Sequence, residues 1–213
     1  AGKSIVVYGD YDVDGITATS LLYRFLVKMG ARVSYYIPER QSEGYGLNLE
    51  ALEHIISDGA SLVITVDCGI SSYEIVEAIG DRIDIIITDH HTAPPQIPPA
   101  RAVINHKQPD CPYTDKNLSG VGVAFKLCQA LWLRQCGEWY LDDLDIVALG
   151  TVADVVPLVG ENRIIVQAGL KKMNELPNLG IDKLIDVAGL HDKTITAGHI
   201  GFTLAPRLNA AGR

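Results

Sequence analysis

Five short runs rich in valine and isoleucine, separated by amphipathic stretches, constrain the first half of this chain more than any other feature. They cover Ser4–Tyr8, 33–37, Leu62–Val66, 83–88 and Ala102–Ile104. Apolar runs this short and continuous predict strands covered on both faces. Between the first two, Ala18, Leu21, Leu22, Phe25, Leu26 and Met29 recur at helical spacing, and Gly30 closes that helix. Asn48 predicts the N-cap of a helix over Leu49–Ser57, and residues 72–79 supply another. Strands alternating with helices imply an α/β fold: an open, mainly parallel five-stranded sheet flanked by helices.

From residue 119 the pattern becomes helical. Stretches 121–134, 141–153 and 162–174 read as helices, the third capped by Asn162 and stopped before Pro177. Shorter helices are expected over 181–188 and 196–204, so a largely helical C-terminal half packs on the sheet. Pro94 to Pro99 forms a stiff extended loop.

With 47% hydrophobic and 21% charged residues, the chain reads as globular, which excludes a disordered tail, a collagen-like repeat and a coiled coil. No apolar run approaches the ~18 residues of a membrane span, and no secretory leader is visible. The four cysteines, Cys68, Cys111, Cys128 and Cys136, fit no zinc template and read as reduced thiols of a cytoplasmic protein. The opening at Ala1 and the stop at Arg213, inside a Gly-rich polar motif, suggest a piece of a longer protein. A net charge of −8 argues against a simple polyanion-coating module. Either the chain binds no polyanion, or its acids are concentrated in a metal site.

The placement of the acids favours the metal site. The first strand runs into Gly9-Asp10-Tyr11-Asp12-Val13-Asp14-Gly15, the third into Asp67-Cys68-Gly69 and the fourth into Asp89-His90-His91. All three segments follow the carboxyl end of a parallel strand, the edge where open α/β sheets bind ligands. Like charges about 4 Å apart repel by roughly 4 kcal/mol at a surface-like dielectric, so such a cluster needs a cation. Carboxylate and imidazole ligands suit Mn²⁺ or Mg²⁺ better than zinc. Two such ions, about 3.5–4 Å apart, are the usual device for activating water against a phosphate. The G-x-G-x-x-G fingerprint is missing after the first strand, which disfavours a nucleotide binder without chemistry.

Together with Gly150-Thr151-Val152-Ala153-Asp154, these segments resemble the four motifs of the DHH phosphoesterase superfamily. The resemblance extends over essentially the whole chain. It is strongest to the superfamily's single-strand-specific exonucleases, through Glu43-Gly44-Tyr45-Gly46-Leu47, Leu118-Ser119-Gly120-Val121-Gly122-Val123-Ala124, residues 150–158 and Pro206-Arg207-Leu208-Asn209-Ala210-Ala211-Gly212-Arg213. It implies a DHH domain over residues 1–190, then a connector helix and the start of a linker over 191–213 to a second, DHHA1-type domain. It also implies two Mn²⁺ ions, with Mg²⁺ as the alternative.

By the same resemblance, Asp12 matches a ligand of one ion, Asp14, His90 and Asp154 match ligands of the other, and Asp67 matches the bridging carboxylate. His91 matches the catalytic histidine beside the scissile phosphate. Some superfamily members carry a histidine where this chain has Tyr8, which leaves the first ion with fewer protein ligands. Asp154 has a plainer reading, a helix cap or a partner for Arg163. Asp10 and Asp89 read as acids that orient the ligands. Tyr45 is expected to stack a base, Gly120 and Gly122 to open a phosphate-facing helix, and Arg207, Asn209 and Arg213 to hold substrate.

The implied activity is metal-dependent phosphodiester hydrolysis from the 5′ end of single-stranded DNA, in repair and recombination. A single-strand-binding protein and a helicase are the implied partners of the longer protein. Two alternatives stay open: a hydrolase of small phosphates such as pyrophosphate, cyclic dinucleotides or short oligonucleotides, and a non-catalytic replication scaffold.

Overall fold

The computed structural model describes residues 2–39 and 44–211. All five expected strands form: β1 (Ser4–Tyr8), β2 (Arg32–Tyr36), β3 (Leu62–Val66), β4 (Asp84–Thr88) and β5 (Ala102–Ile104). Every neighbouring pair is parallel, in the order β2-β1-β3-β4-β5. β2 begins one residue earlier than its apolar run predicts, because Arg32 pairs with Ser4 and Tyr36 with Tyr8. Pairing register, rather than side-chain type, sets its ends.

The helices are α1 (Val13–Lys28), α2 (Leu49–Ser57), α3 (Tyr73–Ile79), α4 (Gly120–Cys136), α5 (Leu144–Ala153), α6 (Gly160–Glu175), α7 (Leu179–Val187), the short α8 (Ala197–His199) and α9 (Ala205–Ala211). A π-helical turn over Ile200–Leu204 joins the last two. Strand periodicity divides the core. Val6 and Tyr8 of β1 face one side with Leu52 of α2 and Ile79 of α3, while Val7 faces the other with Leu21, Leu22 and Phe25 of α1. On that second side α4 lies against β3 and β4, α5 packs on α1 and α4, and α6 packs on α5. The helical half therefore meets the sheet through α1 and α4 and builds outward from them. Ile195, Ile200 and Leu204 return to the same core, so the terminal stretch is integral to it. Truncating a residue such as the fully buried Leu22 to alanine would cost about 2–5 kcal/mol.

One expected cap is corrected. α6 starts at Gly160, and Asn162 lies inside it, fully buried. Its side-chain amide donates to the Asn117 and Pro157 carbonyls at 2.7 and 3.0 Å. Asp115, distant in sequence, accepts the Glu161 amide at 3.0 Å and caps the helix instead. Among the described residues, no helix is long and apolar enough to cross a membrane.

Candidate metal centre

The strand order locates the site. The chain leaves β1 toward β2 on one side and returns to β3 on the other, so a crevice opens between the carboxyl ends of β1 and β3. Asp10 and Asp12 follow β1, Asp14 lies in the first turn of α1, Asp67 follows β3, and Asp89, His90 and His91 follow β4. Asp154 reaches the same place from the C-cap of α5. It can do so because Gly150 lets α5 press on α1: a Cβ there would sit 2.1 Å from Thr17 Oγ1.

Two overlapping clusters result. Asp14, His90 and Asp154 bring one ligand atom each within 4.8 Å of one another, and so do Asp10, Asp12 and Asp67. Asp67 also groups with His90 and His91, which places it between the two clusters. His90 Nε2 lies 3.1 Å from Asp67 Oδ1 and 3.8 Å from Asp14 Oδ2, and its Nδ1 lies 3.6 Å from Asp154 Oδ2. None of these approaches is aligned as a hydrogen bond. Asp10 Oδ1, Asp67 Oδ1, His90 Nδ1 and Asp154 Oδ2 are buried without a hydrogen-bond partner. No lysine or arginine among the described residues pairs with Asp10, Asp12, Asp14, Asp67 or Asp154. Buried carboxylates left this way are strongly disfavoured unless a cation joins them. Oxygen donors and imidazole nitrogens meeting at orphaned atoms fit a hard divalent ion.

The titration behaviour agrees. Burial, reinforced by neighbouring carboxylates, pushes Asp14 and Asp67 well above the carboxylate range. Asp10 is pushed up to about 6, chiefly by burial. Asp154 also rises to about 6, through burial and then the charge of Asp12, with His91 and Lys107 pulling the other way. Burial lowers His90 to about 4, which keeps its nitrogens unprotonated at neutral pH, the form a metal requires. Asp67 has φ +62, a left-handed backbone that aspartate tolerates better than most residues. This turns its carboxylate onto α4, where a Cβ on Gly120 would lie 2.4 Å from Asp67 Oδ1.

Asp89 plays a different part. Its Oδ1 accepts from the His90 and His91 amides at 2.7 and 3.0 Å and pairs with His91 Nδ1 at 2.8 Å, while Oδ2 accepts the Ile70 amide at 2.9 Å. Burial works to raise this carboxyl, but those hydrogen bonds outweigh it and hold it below its ordinary range. The Asp89 bond in turn raises the His91 imidazole. Tyr45 meets His91 edge to face, with its hydroxyl 3.1 Å from Nδ1 and 3.3 Å from Nε2.

Other expected residues fall differently. The α4 amides are already engaged: Gly120 and Val121 donate to the two Asp14 oxygens at 2.6 and 2.8 Å, and Gly122 donates to Ser119 Oγ at 3.2 Å. The expected phosphate contact at Gly120 and Gly122 is thus corrected, since this helix end binds a protein carboxylate. Tyr8 is fully buried, and its hydroxyl donates to the Gly46 carbonyl at 3.2 Å. Cys68 is buried packing. Arg207 is exposed and donates to the Thr203 carbonyl at 2.7 Å, Asn209 is half-buried on α9, and Arg213 and Glu43 lie outside the described residues.

Sequence reasoning passed over two residues. Asn105, directly after β5, donates to the His91 carbonyl at 2.9 Å and accepts the Lys107 amide at 2.7 Å. Lys107 has no ion-pair partner among the described residues, yet its charge acts on His90, His91 and Asp154. The available signal was position: Asn105 follows a strand end as Asp67 and Asp89 do.

Comparison with known proteins places this geometry in a family. A model described as the DHH family, N-terminal domain, matches residues 4–151 and so ends three residues before Asp154. The single-stranded-DNA-specific exonuclease RecJ of Bacillus subtilis (strain 168) is 46% identical over 214 residues, covering 99% of this chain and 26% of that protein. The same-named protein of Escherichia coli (strain K12) is 42% identical over 227 residues, covering 100% and 39%. A crystal structure of exonuclease RecJ bound to manganese superposes with a TM-score of 0.89 at 37% identity, over 99% of this chain and 53% of that one. The chain thus spans about a quarter to two fifths of the length of these two curated relatives. On the strength of that match and of the acids gathered at its strand ends, the chain belongs to the DHH family.

Proposed function

We propose that this chain is the metal-binding catalytic domain of a single-strand-specific DNA exonuclease acting from the 5′ end. One observation carries the reading: buried carboxylates converge at the β1/β3 crevice with orphaned oxygens and no cationic partner among the described residues. Asp14, His90 and Asp154 would hold one ion and Asp12 the other, Asp67 would serve both, and Asp10, grouped with Asp12 and Asp67, would orient those ligands. Two Mn²⁺ ions, or Mg²⁺, would supply Lewis acidity there, activating water and offsetting charge on the phosphoryl oxygens.

The remaining work falls to side chains. Asp89 fixes the His91 ring and favours its protonated form, so His91 would give a proton to the leaving oxygen. Asn105 holds the His91 backbone and anchors the turn carrying Lys107, whose charge would draw in the phosphodiester. The second domain and any protein partners belong to the longer protein, in the cytoplasm, where the free thiols are stable.

The test is hydrolysis of single strands labelled at either end, with and without Mn²⁺. Mononucleotides released from the 5′ end are expected. Turnover confined to pyrophosphate or dinucleotides would shift the reading to a small-phosphate hydrolase, which the acidic net charge of −8 suits. Absence of Mn²⁺ binding by calorimetry would leave a scaffold.

A further inference from the structure

Among the described residues, two that are not glycine have a positive φ, Asp67 at +62 and Val155 at +61. Both stand at the metal centre, the first between its two clusters and the second directly after Asp154. Aspartate tolerates this backbone, but a β-branched residue there is an outlier. Such strain persists only where the surroundings over-determine it. Packing does not do so here, since Val155 is 86% exposed and Pro157, Leu158 and Val159 are exposed as well.

Hydrogen bonds fix the turn from both ends. At the near end, the Asp154 and Val155 amides donate to the Gly150 and Val152 carbonyls of α5 at 2.9 and 3.3 Å. Pro157 keeps Val156 out of helical backbone, so α5 cannot run on. At the far end, the buried Asn162 amide donates to the Pro157 carbonyl at 3.0 Å. The same nitrogen donates at 2.7 Å to the carbonyl of Asn117, three residues before Gly120. Gly120 and Val121 in turn seat Asp14. Asp115 closes the frame, with Oδ1 accepting the Asn117 amide and Oδ2 the Glu161 amide, both at 3.0 Å. One side chain thus ties the stretch after Asp154 to the stretch before the seat of Asp14. Asn162 Oδ1 is buried without a partner, so this amide is a poor device for stability alone.

We infer that Asn162 is a positioning residue for the Asp14, His90 and Asp154 cluster. Acting through the Pro157 carbonyl and the strained Val155, it holds Asp154 at the crevice against the repulsion of the neighbouring acids before any ion arrives. The inference rests on the two-metal reading of this centre. Asp12, which comes directly from β1, does not depend on this frame.

Asn162→Leu keeps the bulk and removes both donors. In the metal-free chain, hydrogen exchange at the Asp154 and Val155 amides is expected to quicken about tenfold more than at Leu22 of α1, which reports the fold as a whole. In calorimetric titration with Mn²⁺, one of two binding steps should weaken about tenfold or more and the other stay in place. Exchange that changes no more at Asp154 and Val155 than at Leu22, or two steps weakened alike, would overturn the inference. Val155→Gly is an independent arm should Asn162→Leu not fold. Glycine takes this backbone freely, so Tm of the metal-free chain should rise while one Mn²⁺ step weakens, opposite trends that a purely structural role does not produce. A fall in Tm, or unchanged Mn²⁺ binding, would overturn the inference. Should the intact chain bind no Mn²⁺, the two-metal reading fails by itself, and the exchange comparison still decides whether Asn162 holds the Asp154 turn.

Discussion

The two ends of α5 carry aspartates in opposite circumstances. At its start, Asp143 meets Arg24 at 3.1 Å and the Tyr140 hydroxyl, Asp142 meets Lys28, and Asp145 accepts the Asn178 amide at 2.6 Å with Lys172 at 3.8 Å. Each acid there finds its countercharge within the chain. At its far end, Asp154 joins a cluster whose carboxylates have no such partner among the described residues. Burial alone does not separate the two groups, since Asp143 and Asp67 are about equally hidden. What separates them is countercharge: side chains supply it at one end, and at the other the proposed metal ions would.

The sharpest way to break this comparison is to remove one acid from each end. Asp67→Ala is expected to abolish cleavage, a larger effect than the roughly 10–100-fold loss typical of groups that merely orient ligands, while circular dichroism shows the fold retained. Asp143→Ala should do the reverse, lowering stability by about 1–3 kcal/mol in denaturant unfolding with activity per folded molecule kept. If Asp67→Ala instead leaves half the activity, the unpaired cluster is not the reaction centre. Next in size is Gly120→Ala, whose methyl would collide with the Asp67 carboxylate. It is expected to lower the rate by about 10–100-fold in a single-turnover assay, the scale of losing a ligand's correct orientation.

pH sharpens the contrast further. The Asp10 and Asp154 carboxyls, raised to about 6, bind protons in the folded metal-free chain that the unfolded chain has already lost. Stability without metal should therefore fall as pH rises from about 4 through 6. His90, lowered to about 4, opposes this over the same window, but it is one group against the carboxylates. Mn²⁺ competes with those protons, so the rise in Tm on adding it should be small at pH 5 and larger at pH 7.5, as differential scanning calorimetry can establish. A shift independent of pH would separate the metal from these carboxylates. The smallest effect is expected at Lys107→Gln, where KM on single strands should rise several-fold and the slope of log affinity against log salt should flatten by about one.

Much of this was legible in the residues. The strands showed as β-branched runs, and Asp12, Asp14, Asp67, His90 and His91 stood at strand ends, where topology alone predicts a crevice. Asp154 was visible only through its motif, because a helix C-cap reaches the crevice by packing, not by strand order. The α4 end misled for a related reason: a Gly-rich helix start advertises amides, but the carboxylate that takes them lies 106 residues earlier. Asn162 likewise has the right side chain for a cap and is committed to two distant carbonyls instead. Local preference predicted the elements; long-range hydrogen bonding decided how their ends were used.

The bond from Asp14 to the Gly120 and Val121 amides has a last consequence. Two donors converge on one side chain, and only a group with two acceptor oxygens at that reach can answer both. Asparagine would turn an N–H toward one of them, and glutamate would overshoot. Position 14 thus has no conservative replacement, because the docking of a whole helix rests on that pair of atoms, the same pair that would seat the proposed cation.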